Sequence, residues 1–250
     1  MTRMFREVAA TWNVVTGCLH QCVYCWARRY AVRLAKMGVE PYTSNLFKPT
    51  FIPKRLDRKF KKGQLVFVSD VGDLFGSWVP APWIQKVLET IRKWPETTFL
   101  LLTKNPERYL EFELPSNVIA GATIESNRQH PAISQAPSPE KRLEAMRRLA
   151  HDKKMISVEP ILDFDLEAFV EAIRTVNPIF VYVGYDNYGF RLPEPKLEKT
   201  LKLIEELGTF TEVRLKTIRK AWNEGPSLCT RSWQPRISSP QSSFPHLQPP

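Results

Sequence analysis

From residue 64 onward the chain repeats one pattern: a short continuous apolar run that ends in polar residues, then a stretch with apolar positions at helical spacing. The runs read QLVFVSD, TTFLLLTKN, NVIAGATIES, KMISVEP and PIFVYVGYD. Short runs of this kind predict strands buried on both faces, as in a parallel sheet. The intervening segments 82–94, 106–112, 139–152, 166–176 and 195–207 predict helices. Upstream, 8–15 predicts a first strand. Residues 25–37 predict a helix with Trp26, Tyr30, Leu34 and Met37 on one face, stopped by Gly38. Residues 39–63 are basic, contain proline and lack periodicity, which predicts a crossover with one short helix. Six strand–helix units, with a seventh strand at 211–216, predict an α/β fold. Spacing leaves a barrel and an open doubly wound sheet equally open. In both, ligands gather at the carboxyl ends of the strands.

Composition adds limits. The 250 residues are 43% hydrophobic and 25% charged, enough for a sizeable core. No apolar run approaches the roughly 18 residues of a membrane span, and MTRMFREVAA has no apolar signal core, so a cytoplasmic protein is expected. Net charge is +10, and its placement is uneven: residues 1–62 hold 13 Lys/Arg against 3 Asp/Glu, while the other 188 hold 23 of each. Such a patch attracts nucleic acid or an acidic electron-donor protein, although a solvated basic face accounts for it equally well. Residues 54–62, KRLDRKFKK, lack the interleaved aromatics of a single-strand binder. Residues 225–250 carry six prolines, six serines and no acidic residue, which predicts a disordered tail after a domain spanning 1–224.

Three of the four cysteines, Cys18, Cys22 and Cys25, stand at CxxxCxxC spacing in the loop between the first strand and the first helix. Their number and crowding fit a reducing compartment and a metal site better than a disulfide framework. Thiolates suit iron–sulfur clusters or zinc, and such sites usually take four protein ligands. Only three are local here. His20 or the remote Cys229 would complete a zinc knot, and a CxxC redox pair would leave Cys18 unexplained. A three-thiolate cubane would leave one iron free for another ligand.

At this point the text TGCLHQCVYCWARRY, with Tyr24 just before the last cysteine, resembles the cluster motif of the radical S-adenosylmethionine (SAM) enzymes, in the branch of spore photoproduct lyase and phage-associated relatives. The resemblance spans about residues 9–190. It implies a partial (β/α)6 TIM-like barrel, and a [4Fe-4S] cluster on Cys18, Cys22 and Cys25 whose open iron is chelated by SAM, with Tyr24 among the SAM contacts. It also implies a low-potential donor of ferredoxin or flavodoxin type, and a 5′-deoxyadenosyl radical that takes hydrogen from a substrate.

The strand ends supply the remaining candidates. Ser69 and Asp70 offer a hydroxyl and a carboxylate to an ammonium group and to ribose hydroxyls, and the resemblance gives the pair to SAM. Asp70 or Asp73 would otherwise cap the following segment. Lys104 is a cation for the SAM carboxylate, or a partner for a neighbouring carboxylate. Thr123 is the implied SAM-contacting hydroxyl, with Glu125 a weaker candidate. Glu159, in SVEP, is held at the rim by the proline after it, placed to hydrogen-bond the adenosyl group or orient substrate; an ion pair with Lys104 is its structural alternative. Tyr185 and Asp186 stand where the relatives have a glycine and a glutamate, which puts the substrate pocket in doubt. Tyr182, Tyr185 and Tyr188 are close enough for a radical relay, though packing is the commoner role of such a run. Val68 occupies the position where lesion-repairing members carry a hydrogen-donating cysteine, so the resemblance stops short of photoproduct repair. The contrasting reading is a non-catalytic, metal-stapled protein that binds nucleic acid through its basic first third.

Overall fold

The structure is a computed structural model, and it describes residues 5–225. The predicted tail after residue 225, with Cys229, lies outside the described residues. In chain order the elements are β1 (Ala10–Trp12), β2 (Val15–Thr16), α1 (Trp26–Lys36), α2 (Tyr42–Asn45), β3 (Thr50–Phe51), β4 (Leu65–Val68), α3 (Ala81–Arg92), β5 (Thr98–Thr103), β6 (Val118–Thr123), α4 (Pro139–Arg148), β7 (Lys154–Val158), α5 (Leu166–Val176), β8 (Phe180–Val183), α6 (Leu197–Leu207) and β9 (Glu212–Leu215). Single-turn 3-10 segments lie at Pro53–Asp57 and Pro106–Glu111.

Seven strands form one all-parallel sheet in the order β1-β4-β5-β6-β7-β8-β9. Strands β1 and β9 are its two ends and do not pair with each other, so the sheet curls into a partial TIM-like barrel. The strands from β4 to β8 alternate between two apolar environments, which explains the continuous runs in the sequence, while the end strand β9 is partly exposed. Val66, Val68, Phe99, Leu101, Ile156, Val158, Val181 and Val183 pack into the large core shared with the helices. Phe67, Leu100, Ile119, Met155, Phe180 and Tyr182 face a smaller cluster inside the curl, together with Phe5 and Val8. The N-terminal segment therefore sits in the bowl, where the Phe5 ring lies 5.5 Å from Phe67 and 4.4 Å from Tyr182.

The helices owe their positions to the stripes that bury them. Helix α5 presents Phe169, Val170, Ile173 and Val176 to the core and ends at Asn177, in the left-handed region that terminates helices. Helix α3 does the same with Ile84, Val87, Leu88 and Ile91.

The predicted strand 8–15 is divided. Asn13 leaves the ladder, donating from Nδ2 to Asp70 (2.6 Å) and accepting from the Val71 N–H (3.2 Å), and the chain resumes as β2, antiparallel to β3. The crossover thus holds one short helix and also a strand. The segment predicted as a helix at 106–112 takes the tighter 3-10 form over Pro106–Glu111. No helix among the described residues is long and apolar enough to cross a membrane.

Candidate active site

The cysteine loop is fastened from several directions. Gly17 has φ +85°, and a Cβ there would strike the Lys48 carbonyl, so glycine is required. Its N–H donates to Val71 O, and the next N–H, of Cys18, donates to Phe47 O. His20 Nε2 meets Asp73 Oδ2 at 2.9 Å. Asp73 also accepts from Thr103 Oγ1 (2.7 Å) and from the N–H groups of Lys104 and Phe75 (both 3.0 Å), so one buried carboxylate joins the loop to the ends of β4 and β5. Burial opposes its charge, but the hydrogen bonds and charge from His20 and the Thr103 and Lys104 donors bring its carboxyl below the usual carboxylate range. Cys25 caps α1, its Sγ accepting from the Arg28 N–H at 3.4 Å. Cys22 Sγ lies 3.1 Å from Ser134 Oγ.

All three cysteines are free, and all three line one open cavity of about 1870 Å³ that covers the carboxyl ends of the strands and runs on past α6 to the amino end of β9. Burial, with Asp73 next in effect, pushes the Cys18 thiol well up, and burial also raises Cys25 against the Arg28 N–H. A bound cation is what offsets this cost for a thiolate. Among the described residues no three His, Cys, Asp or Glu side chains converge as the ligands of a single ion would. His20, the local candidate for a fourth zinc ligand, is engaged with Asp73. A cubane is several atoms across, so its thiolates surround a volume instead of meeting at a point, and three free thiols lining one cavity supply the donor set it needs.

Five of the six predicted SAM-contacting residues, Tyr24, Asp70, Lys104, Thr123 and Glu159, line the same cavity as the thiols. Ser69 does not. It is 3% exposed with φ +58°, and its Oγ is buried without a hydrogen-bond partner. Burial raises the Asp70 carboxyl against the Asn13 amide that holds it.

Lys104 is partnered by a residue that ranked low in the sequence. Its Nζ lies 2.5 Å from Glu125 Oε1 and 5.2 Å from the centre of the Tyr24 ring. Glu125, 4% exposed, also accepts from Tyr24 Oη and, at 2.6 Å, from Arg142 Nη1. Burial raises its carboxyl, yet Arg142 and Lys104 outweigh that and hold it far below the usual range. The alternative pairing of Lys104 with Glu159 does not occur: Glu159 is bound by Lys216, just beyond β9. Its carboxyl is raised, because burial exceeds what Lys216 and Lys104 return.

Of the three tyrosines, Tyr182 donates to Glu7 (2.6 Å) and Tyr185 to Pro195 O (3.0 Å), while Tyr188 is half exposed. Asp186 accepts from the N–H groups of Tyr188 and Phe190, as turn-forming aspartates do.

Residues 5–177 match the family described as "Protein of unknown function (DUF5131)". The chain belongs to that family. No curated protein matches it. Among solved structures, a spore photoproduct lyase double mutant with bound AdoMet and dinucleoside spore photoproduct is similar, at 12% identity and a TM-score of 0.50. The match covers 81% of this chain and 61% of that one. A single-substitution mutant of spore photoproduct lyase gives 13% identity and a TM-score of 0.48, over 80% and 61%. The DUF5131 chain therefore spans about 61% of the length of these lyase chains, and it shares the fold of the first.

Asn13, His20, Arg142 and Lys216 were not singled out as site residues by sequence reasoning, apart from His20 as a zinc ligand. Arg142 had a readable signal, since it interrupts the apolar stripe of α4 beside Leu143 and Met146. Lys216 follows β9 as Lys104 follows β5.

Proposed function

We propose that this DUF5131 chain is a radical SAM enzyme. Cys18, Cys22 and Cys25 are the ligands of a [4Fe-4S] cluster, and Tyr24, Ser69, Asp70, Lys104, Thr123 and Glu159 are the SAM-binding set. One observation carries the reading: three free thiols and five of those six side chains line a single cavity at the carboxyl edge of a parallel half-barrel. When bound, cluster and SAM supply one-electron cleavage of the sulfonium to methionine and a 5′-deoxyadenosyl radical that takes hydrogen from a substrate.

The chain's own residues do the positioning. Lys104, held by Glu125, offers a cation to the SAM carboxylate. Asp70, held by Asn13, supplies an acceptor for the ammonium group and ribose, and Ser69, whose orphaned hydroxyl lies behind the cavity wall, reaches SAM only when the turn after β4 opens. Thr123 adds a hydroxyl at the end of β6, and Glu159 an incompletely neutralised carboxylate on the opposite wall. The external partner is a low-potential electron donor of flavodoxin or ferredoxin type, and the protein works in the cytoplasm. The substrate is nucleic acid. Support for that class comes from the basic first 62 residues and from the dinucleoside bound in the lyase. Val68 argues against lesion repair as the reaction.

Anaerobic reconstitution followed by iron and sulfide assay tests the reading. About four irons per chain, and 5′-deoxyadenosine from SAM with dithionite, are expected, both lost in Cys22→Ala. One zinc per chain and no SAM cleavage would instead establish the metal-stapled nucleic-acid binder.

A further inference from the structure

Residues 19–24 of the cysteine loop alternate. His20, Cys22 and Tyr24 are buried, while Leu19, Gln21 and Val23 are exposed. The loop thus turns its thiol, its aspartate-bound histidine and its glutamate-bound tyrosine inward and presents two aliphatic side chains, 45% and 50% exposed, to solvent. Scattered exposed apolar side chains are ordinary. Here they lie on the outer side of the loop that carries the thiols, and their surroundings have a single sign of charge.

No Asp or Glu occurs in 8–39, in 41–56 or in 126–138. These segments hold the outer side of the loop, while the acidic residues that touch it, Asp73 and Glu125, are buried on its inner side. Cys18 N–H donates to Phe47 O, Val23 N–H to Ile133 O, and Gln135 N–H to His20 O. Arg29, Arg33, Lys36 and Lys48 are exposed, and among the described residues none of them is in an ion pair. Arg128, by contrast, is engaged by Asp163 and Asp165.

We infer that this face, centred on Leu19 and Val23 and flanked by the free cations of α1, is the docking surface for an acidic one-electron carrier protein. The inference rests on the radical SAM reading above. A small apolar centre within a one-signed rim suits a brief encounter steered by charge, in which the carrier's redox group approaches the thiols from outside while SAM and substrate hold the cavity side. A single-stranded nucleic acid would call for a run of exposed stacking rings; this face has one, Tyr188 beside Arg29, and its centre is aliphatic.

The full chain, reconstituted anaerobically, is given either dithionite or a photoreduced flavodoxin. Cluster reduction is read by electron paramagnetic resonance and 5′-deoxyadenosine by chromatography, with flavodoxin binding measured by calorimetry. Leu19→Asp combined with Val23→Asp is expected to slow flavodoxin-driven reduction by about tenfold or more, and Arg33→Glu with Lys36→Glu to weaken flavodoxin binding and flatten its salt dependence. Iron content and dithionite-driven reduction should match the parent. Equal flavodoxin rates in parent and variants would overturn the assignment, and so would a loss with both donors, which would mean that the loop itself is disturbed. Weakened oligonucleotide binding with unchanged flavodoxin rates would make the face a nucleic-acid surface. A parent that takes up no iron, or that dithionite cannot drive, defeats the functional reading first and this one with it.

Discussion

Two glutamates stand at the carboxyl edge of the sheet, Glu125 just beyond β6 and Glu159 just beyond β7, and they are held in opposite ways. Glu125 receives Tyr24, Lys104 and Arg142 and stays charged far into acid. Glu159 receives Lys216 from the end strand, and burial leaves its carboxyl raised. A carboxylate with all its donors supplied is part of the wall. One that is buried but under-supplied is a place for a ligand to bring a donor. Glu125 therefore belongs to a fixed frame, whereas Glu159, like Asp70 beyond β4, is where binding has most to gain.

The largest test of that contrast is truncation. Glu125→Ala strands two cations, one of them on Arg142 at 4% exposure, and should cost about 3–5 kcal/mol in urea unfolding. Glu159→Ala strands a single cation, Lys216, 16% exposed, and recovers the burial cost of its own carboxylate, so it should cost less, about 1–3 kcal/mol. Equal losses would erase the distinction between frame and receptor.

How far this was readable from sequence follows the same division. Strands apolar on both faces identify themselves, and the predicted helix 166–176 coincides with α5, because both rest on local pattern. The cysteines, Tyr24 and the strand-end residues were legible as a group, since the carboxyl edge collects whatever ends each run. Which partner each would take was not legible. Lys104 had Glu125 and Glu159 within plausible reach, and only the curl that brings β9 round to Glu159 sends Lys216 there and leaves Lys104 to Glu125. Asn13 was unreadable for a similar reason: it breaks the first strand to serve Asp70 and Val71, more than fifty positions away. His20 was weighed as a metal ligand, but the competing carboxylate of Asp73 comes from the far end of β4.

Of intermediate size is the effect of Tyr24→Phe. It keeps the ring against Lys104 and removes one donor from a charged acceptor, for an expected loss of about 1.5–3 kcal/mol. Because Tyr24 lies between Cys22 and Cys25, the signature that separates a frame role from simple packing is spectroscopic. The reconstituted cluster of Tyr24→Phe should show shifted paramagnetic resonance parameters at unchanged iron content. An unaltered spectrum would mean that the Glu125 anchor does not set the position of the loop.

The smallest effect separates the two glutamates by sign. A carboxyl whose folded pKa lies below its unfolded value contributes stability above the ordinary glutamate value of 4.5, lost as pH falls toward the folded pKa; that is Glu125. A carboxyl whose folded pKa is raised contributes below 4.5 and loses that contribution as pH rises through the folded pKa; that is Glu159. Glutamine fixes a neutral group at either position. Glu125→Gln should therefore unfold more easily than the parent at pH 7 and Glu159→Gln slightly less easily; the Glu159 difference closes as the pH falls from its raised folded pKa to 4.5, and the Glu125 difference only below 4.5. Denaturant midpoints measured across that range decide it. A Glu159→Gln protein weaker than the parent at pH 7 would place Glu159 in the fixed frame beside Glu125, because its pairing with Lys216 would then outweigh its burial.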